Sequence, residues 1–545
     1  MERQSDDNNF LRYDRSLLYV YIYVNLTPRE LASKIYRLNY SIMQISLSIV
    51  LQNKEPFFMS FTCKTSITKI PPDDKMQDKK PPATNRFVGQ AMLLFLDQIL
   101  VAITNWLYWL VISRFTITSE IGQATSVYSL VLLMSTLAQV GLEYPLLKKS
   151  SLHRSQILGA ALTIELILLP GLITALVLLE YTNVYHASLS ELLWVAVILL
   201  ALSPISFIAR FALLGISNAR TVLIFDVVAT SAKFLTAYIL LSMGFGAFGI
   251  LFSFVIASLV AAVGMLAIVR WRLPLKLVRD KKYIIEVLKE GLSNAPSKLS
   301  RILITTLSVI LLASFGISDS DIGIFYIAMM LSVVGGSLAS SMSFTVIPAS
   351  TESKLDLSSG SLRLGLSLTA PIVAAFLVAP KDILGVIGPE YASAHTVLLV
   401  LSIGILPTTI AMNAISKFNN LGQGKKIIVI GIIQVAGFLI SFFILVPRYG
   451  DLGAAYSILI SSIASAVFAV RLFERAERRY IANSVIAVII GSLTGYVINF
   501  MFEYSLLAII LSVIATSVVL LMLRNTSVSE LRQLIRSLNR PSSIP

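Results

Sequence analysis

The chain has 545 residues, 56% of them hydrophobic and only 14% charged, with a mean hydropathy of +0.80, which excludes a soluble globular protein and points to an integral membrane protein. A net charge of +14 would fit a nucleic-acid binder, but the basic residues fall mainly in short loops between apolar runs and so mark membrane orientation instead. The single cysteine, Cys63, excludes an intrachain disulfide and a cysteine-cluster metal site; His153, His186 and His395 are too scattered for a zinc motif, and no Gly-rich loop of the Walker type is present to bind ATP.

Residues 1–86 differ from the rest. Their apolar runs, 17–24 and 42–51, are too short to span a bilayer, and neither has the basic start and small-residue exit of a signal peptide. Residues 71–86 (PPDDKMQDKKPPATNR) form a Pro- and charge-rich linker. The expectation is a cytoplasmic extension that is disordered or not native, with Met76 as an alternative start; the competing reading is a genuine peripheral cytoplasmic domain.

From Phe87 onward, apolar runs of spanning length succeed one another: 88–112, 122–147, 157–180, 189–214, 222–242, 246–270, 291–315, 322–347, 362–380, 394–415, 427–447, 452–473, 480–500 and 504–523. The predicted fold is all-α and polytopic, with about fourteen transmembrane helices. Connections after even-numbered spans carry Lys and Arg about 20 to 3 over those after odd-numbered spans, which carry only Arg114, Lys381 and Arg448. That bias predicts both termini in the cytoplasm. Two segments, 271–290 and 524–545, alternate Leu, Ile and Val with bases and read as amphipathic segments on the cytoplasmic leaflet.

The seventh span is the unusual one. It carries Asn294, Lys298, Arg301, Thr305 and Ser308 at steps of four, three, four and three, so all five share one helical face. A cation in the hydrocarbon core costs from roughly 3 kcal/mol upward, and two on one stripe predict a water-filled interior or a bound anion. The plainer alternative is that Lys298 snorkels to the cytoplasmic end.

A repeat organises the chain. Ser119–Gly122 reads SEIG and Ser320–Gly323 reads SDIG; Tyr185-His186-Ala187 precedes span four and Tyr391-Ala392-Ser393 precedes span ten; Gly-rich stretches at 244–249 and 449–454 lead into spans six and twelve. Six spans separate the copies, so both enter the membrane in the same sense, as a parallel repeat about an axis along the membrane normal. Aligning SEIG with SDIG places Asp97 opposite Lys298 in one cleft.

Helix-SEIG-helix-GL with Glu143-Tyr144-Pro145, then SDIG, Gly388-Pro389-Glu390-Tyr391-Ala392 and the run NNLGQGKK at 419–426 resemble the polysaccharide or oligosaccharide flippases of the multidrug/oligosaccharidyl-lipid/polysaccharide exporter superfamily, over residues 87–523. The resemblance implies two six-helix bundles (87–270 and 291–473, joined by 271–290), a terminal helix pair (474–523), a V-shaped cavity and alternating access. It also implies the substrate, an oligosaccharide on a polyprenyl phosphate or pyrophosphate.

Other charges lie inside spans. Lys233, in mid-span, either lines the cavity or pairs with an acid of a neighbouring helix. Glu165 is either a proton or cation site or a carboxyl paired with Lys233 or protonated against lipid. Arg210, in the last turn of span four, is expected to snorkel to the cytoplasm, and Asp226 to suit a helix start.

The function expected is secondary transport of a lipid-linked oligosaccharide from the cytoplasmic to the outer leaflet. Arg301, Lys298, Asn294, Thr305, Ser308 and Lys233 are the expected substrate-binding residues; Asp97 and Glu165 are expected to couple Na+ or H+, with no catalytic residue, metal or other cofactor. The partners expected are the lipid-linked glycan, membrane lipids and glycan-assembly enzymes, with no nucleic acid, for a monomer in a prokaryotic plasma membrane. The alternatives are export of drugs or organic cations, which a cationic stripe disfavours, and a membrane-embedded glycosyltransferase. Asp319-Ser320-Asp321 supplies a D-x-D for the latter but reads as turn and helix-cap chemistry.

Overall fold

The computed structural model describes residues 97–525 except 98, 99, 102, 140, 151–153, 182–188, 217, 273–277, 279 and 354–357; of residues 144, 148, 154, 155, 272, 293–301, 303, 338–353, 358 and 420 it describes the backbone only. The expectations for residues 1–86 and for the tail beyond 525 lie outside the described residues.

The described residues form helices and no strand: α1 (Ile103–Ile112), α2 (Thr118–Gln139), the short α3 (Glu143–Lys149), α4 (Arg154–Tyr181), α5 (Leu189–Gly215), α6 (Ala219–Ser242), α7 (Gly246–Arg272), α8 (Lys281–Ser314), α9 (Asp319–Ser353), α10 (Ser358–Val378), the short α11 (Pro380–Ile387), a 3-10 turn (Pro389–Ala394), α12 (His395–Asn420), α13 (Gly424–Leu472), α14 (Arg475–Phe502) and α15 (Ser505–Met522). Eleven are long and apolar enough to cross a membrane. One of these, α13, contains two of the expected spans, because Pro447 and Gly450 (φ 56°) break it in the middle. The apolar helices Ile103–Ile112 and Ile304–Ser314 fall within the first and seventh expected spans. Among the described residues a helix falls within each expected span.

These sequences form helices because a chain in lipid must satisfy its backbone polar groups internally. Pro170, Pro204, Pro371 and Pro407 sit inside long helices all the same, as packing against neighbouring helices permits. Large apolar side chains remain exposed around the outside, Phe500 at 89% and Trp271 at 84%; on a soluble protein they would form a sticky patch, and here they meet lipid.

The buried apolar residues show how the helices divide. At the end poor in Lys and Arg, one core contains Tyr108 and Trp109 of α1, Ile121 of α2, Leu312 of α8, Phe325 of α9 and Phe438 of α13, and so runs through both halves of the repeat. At the basic end there are two cores. One holds Leu158, Ala209 and Val269 of the first half; the other holds Leu366, Phe418 and Ile430 of the second. Among the described residues the halves are fused at one end and separate at the other.

The repeat is visible at the fused end. The first turns of α2 and α9 cross with Thr118 Oγ1 and Ser320 Oγ 2.7 Å apart, and Gln123 Nε2 donates to Asp319 Oδ2 at 3.1 Å. A Cβ on Gly122 would collide with the carbonyl oxygen of Asp319, and a Cβ on Gly323 with that of Thr118. The contact is reciprocal, since 118 corresponds to 319 and 122 to 323. The Gly-rich turns before α7 and in mid-α13 match as well: Gly244, Gly246 and Gly450 all have positive φ.

The terminal pair docks on the second half. Gly491 and Gly495 leave room for Thr516 and Ser512 of α15 and for Val378 of α10, the small-xxx-small packing usual between helices in lipid. Asn525 closes the pair by donating to Tyr480 O at 2.9 Å and to Ser484 Oγ at 3.0 Å. At the start of α14, Glu477 bonds the Glu474 backbone N–H at 2.9 Å and accepts from Lys417 of α12 at 2.8 and 2.9 Å.

The connector differs from expectation. Residues 281–290 are not a separate surface segment but the first turns of α8, capped by Asp280, whose carboxylate accepts from Lys282 N–H at 2.9 Å. Val287 is fully buried in the first-half core, and Lys149 of α3 holds both Glu286 and Glu290 at 2.8 Å. Burial alone would lower the Lys149 ammonium, but the two carboxylates outweigh it and hold it above the ordinary lysine value. Alternating bases and leucines serve a docked amphipathic helix as well as a membrane-surface one.

Candidate functional site

The α8 helix runs without interruption from Lys281 to Ser314, so positions 294, 298, 301, 305 and 308 keep one face. It packs against α2, α3 and α4 of the first half and against α9 and α13 of the second. The polar stripe therefore belongs to the helix that lies between the halves. The side chains of Asn294, Lys298 and Arg301 lie outside the described residues. Thr305 is half-buried and donates to Ile302 O at 3.2 Å. Ser308 is fully buried, donates to Thr305 O at 2.9 Å and lies 3.6 Å from Met329 Sδ of α9. The stripe thus ends inside the fused core.

Asp97 is placed differently from the expectation. It is 1% exposed, and its Oδ2 meets Arg210 Nη2 of α5 at 2.5 Å. The other guanidinium nitrogen, Nη1, meets Asp226 Oδ2 of α6 at 2.6 Å. One arginine is shared by two carboxylates inside the first half, leaving a formal charge of −1. Asp97 therefore faces Arg210 inside its own bundle; the expected position opposite Lys298 involves a side chain outside the described residues. Arg210 does not snorkel to the basic end: its guanidinium is drawn to the two acids, because a carboxylate in a low-dielectric interior is stable only with a cation beside it. Asp226 is likewise fixed by this pair and not by a helix terminus.

Lys233 lies seven residues beyond Asp226 on the same face of α6 and is 7% exposed. Its Nζ donates to Asn105 Oδ1 at 3.2 Å. It stands 4.1 Å from the Tyr108 ring centroid and 4.9 Å from that of Phe254, a cation–π arrangement. Tyr108 is itself anchored by Ser253 Oγ at 2.6 Å. The alternative pairing of Lys233 with Glu165 does not form; Glu165 is buried on α4. Asp97, Asn105 and Tyr108 share one face of the first span, and that spacing was the available signal for Asn105 and Tyr108 as partners of the buried charges. Nothing in the sequence marks Arg210 as their clamp. Among the described residues no three His, Cys, Asp or Glu side chains cluster as a metal site.

The arrangement can do two things chemically. The α8 helix carries the hydroxyls of Thr305 and Ser308 between the halves, on the face that positions 294, 298 and 301 share. Among the described residues, the first half holds a lysine with no carboxylate beside it and an acid–arginine–acid clamp with surplus negative charge.

Residues 87–354 match the family described as polysaccharide biosynthesis protein. A probable flippase of Haloferax volcanii, AglR, is 26% identical over 219 residues, which are 36% of this chain and 46% of the relative; the aligned part spans less than half the length of that protein. Among solved structures, the lipid II flippase MurJ in its inward closed conformation aligns with a TM-score of 0.59 at 14% identity, over 83% of this chain and 99% of that one. An inward-facing multidrug resistance MATE transporter of the MOP superfamily aligns with a TM-score of 0.52 at 14% identity, over 74% and 95%. These identities establish a shared fold. The curated relative and these solved neighbours are named as flippases and transporters.

Proposed function

We propose that this chain, a multi-pass membrane protein with the fold of the multidrug/oligosaccharidyl-lipid/polysaccharide exporter superfamily and a polysaccharide-biosynthesis family match over residues 87–354, flips an oligosaccharide linked to a polyprenyl phosphate or pyrophosphate toward the outer leaflet. What supports the reading is the sequence of α8, the helix that packs against both halves, which carries Lys298 and Arg301 on one face.

Lys298 and Arg301 take the phosphate charge out of water, Arg301 through two parallel hydrogen bonds and Lys298 as a point charge. Asn294 and Thr305 bond the phosphate or the first sugar, and Ser308 marks the inner end of the path. Lys233 joins them once the aromatic rings around it part. The lipid tail stays in the bilayer while the head group crosses between the halves. Asp97, and with it Arg210 and Asp226, carries the coupling Na+ or H+; Glu165 is the second candidate. The protein works as a monomer in a prokaryotic plasma membrane with both termini cytoplasmic, supplied by the enzymes that assemble the glycan.

Export of organic cations is the second reading, kept by the likeness to multidrug transporters and disfavoured by two cations on the stripe. The test is exchange of a fluorescent lipid-linked sugar between leaflets of proteoliposomes, with and without an ion gradient. Protein-dependent movement of the sugar supports flipping. Movement of a fluorescent organic cation with none of the sugar overturns it.

A further inference from the structure

We propose that the start of α14 holds a resident anionic phospholipid of the leaflet at the basic end, with its phosphate on Arg475, Arg479 and Arg524 and its acyl chains along the outward face of α14. Arg471, Arg475, Arg478 and Arg479 crowd the turn between α13 and α14, and all four are exposed. The acids beside them are turned away. Glu477, 1% exposed, accepts from Lys417 at 2.8 Å, and Glu474 stands 3.7 Å from the same ammonium. Arg478 closes the turn, donating from Nε to Phe473 O at 2.9 Å and from Nη2 to Arg471 O at 3.1 Å. Among the described residues none of the four pairs with a carboxylate, so the turn carries a positive charge that its neighbours do not neutralise.

The end of α15 adds a fifth arginine. Asn525 donates to Tyr480 O at 2.9 Å, which brings Arg524 to the same turn. Arg524 is exposed and has φ 58°, the left-handed conformation that glycine usually supplies after a helix. An arginine adopts it at a cost, and what it brings in exchange is its charge. Below the arginines, positions 475, 479, 482, 486, 490, 493, 497 and 500 follow at steps of three and four, so they form one face of α14, and every one of them is exposed. From Ala482 through Ile486, Ile490, Leu493 and Val497 to Phe500 that face is wholly apolar. A cationic end that continues directly into a lipid-facing stripe matches a charged headgroup with its tails. An acidic soluble protein would match the charge and not the stripe. At the basic end of the first half the corresponding charges are already paired, Lys149 with Glu286 and Glu290, and Arg210 with Asp97 and Asp226. The inference rests on the membrane spans and not on what is transported.

The test follows the thermal unfolding midpoint of the purified full chain in detergent during titration with phosphatidylglycerol, phosphatidylcholine or inorganic phosphate. Phosphatidylglycerol should raise the midpoint, and the other two should not. Arg475→Gln/Arg479→Gln/Arg524→Gln should weaken the apparent affinity for phosphatidylglycerol about a hundredfold, since three bases contribute about fivefold each, or ~1 kcal/mol apiece. Arg220→Gln/Arg270→Gln/Lys281→Gln removes the same charge from exposed bases elsewhere at the basic end and should change that affinity less than about fivefold, one base's worth. If the first triple variant does not fold, phosphatidylglycerol with a photoreactive headgroup decides on the wild-type chain: its adducts should fall within residues 471–482 and at Arg524, and adducts elsewhere alone overturn the inference. Equal losses in the two triple variants overturn it as well. So does an equal midpoint shift with inorganic phosphate, which makes the turn a free-anion site, or no preference for phosphatidylglycerol over phosphatidylcholine, which leaves the arginines to an acidic protein.

Discussion

Removing Arg210 and removing Asp97 should have very different consequences, although the two residues form one ion pair. Arg210 bonds Asp97 at 2.5 Å and Asp226 at 2.6 Å, and the three side chains are 24%, 2% and 13% exposed. Arg210→Gln leaves two buried carboxylates facing each other without a cation. Breaking a buried pair from one side costs about 3–5 kcal/mol, and the mutual repulsion of the acids adds to it. Asp97→Asn removes one charge-assisted bond, worth about 1.5–3 kcal/mol, but also removes the surplus negative charge, so the net cost should fall below that range. The assay is thermal unfolding in detergent for Asp97→Asn, Asp226→Asn, Arg210→Gln and the triple variant. Arg210→Gln should be the least stable, the two Asp→Asn variants near wild type, and the triple variant should recover most of the loss, because coupled neighbours are not additive. Arg210→Gln no less stable than Asp97→Asn would refute the reasoning, since the clamp would then not be what neutralises the acids.

Stable Asp97→Asn protein should lose gradient-driven movement of a lipid-linked sugar while keeping downhill exchange; unchanged ion dependence in Asp97→Asn, Glu165→Gln and their double mutant would remove both from the coupling role. Arg301→Ala should lower apparent substrate affinity roughly ten- to a hundredfold, the equivalent of one charge-assisted contact, with partial rescue by Arg301→Lys and a milder effect of Lys298→Ala; full transport by Arg301→Ala would end its role as phosphate ligand. Lys417→Met should destabilise the protein more than the double variant Lys417→Met with Glu477→Gln, because the single change strands a carboxylate that is 2% exposed; equal unfolding midpoints would contradict this. In a Cys63→Ser background, His153→Cys should label from the cytoplasm and His186→Cys from outside, and reversed accessibility at either would show a miscounted span.

The membrane spans and the repeat were legible in the sequence for the same reason: both are properties of a single helix read along its length. Apolar runs set the spans, and SEIG with SDIG marked two equivalent helix starts before their contact was known. Partnership between helices was not legible. Hydropathy places Arg210 at the end of a span, where a snorkelling lysine would look the same, and says nothing of two aspartates on neighbouring helices. For Lys233 the sequence offers the cavity or a carboxylate of a neighbouring helix, because charge is the only complement it shows; the rings of Tyr108 and Phe254 look like ordinary core in sequence and act as the lysine's surroundings only in three dimensions. Residues 281–290 show the same limit, since an amphipathic pattern defines which face is buried but not whether lipid or protein covers it.

A contact on a twofold axis meets its own counterpart. Because Gly122 faces position 319 as Gly323 faces position 118, the first half alone carries both sides of that surface, one at each end of a single helical turn. A chain of half the length, ending with α7, would present to a second copy of itself the same ridge and the same vacancy that it now presents to residues 319–323. Closure at this end is then a property a single half already possesses, and joining two halves end to end supplies only the tether.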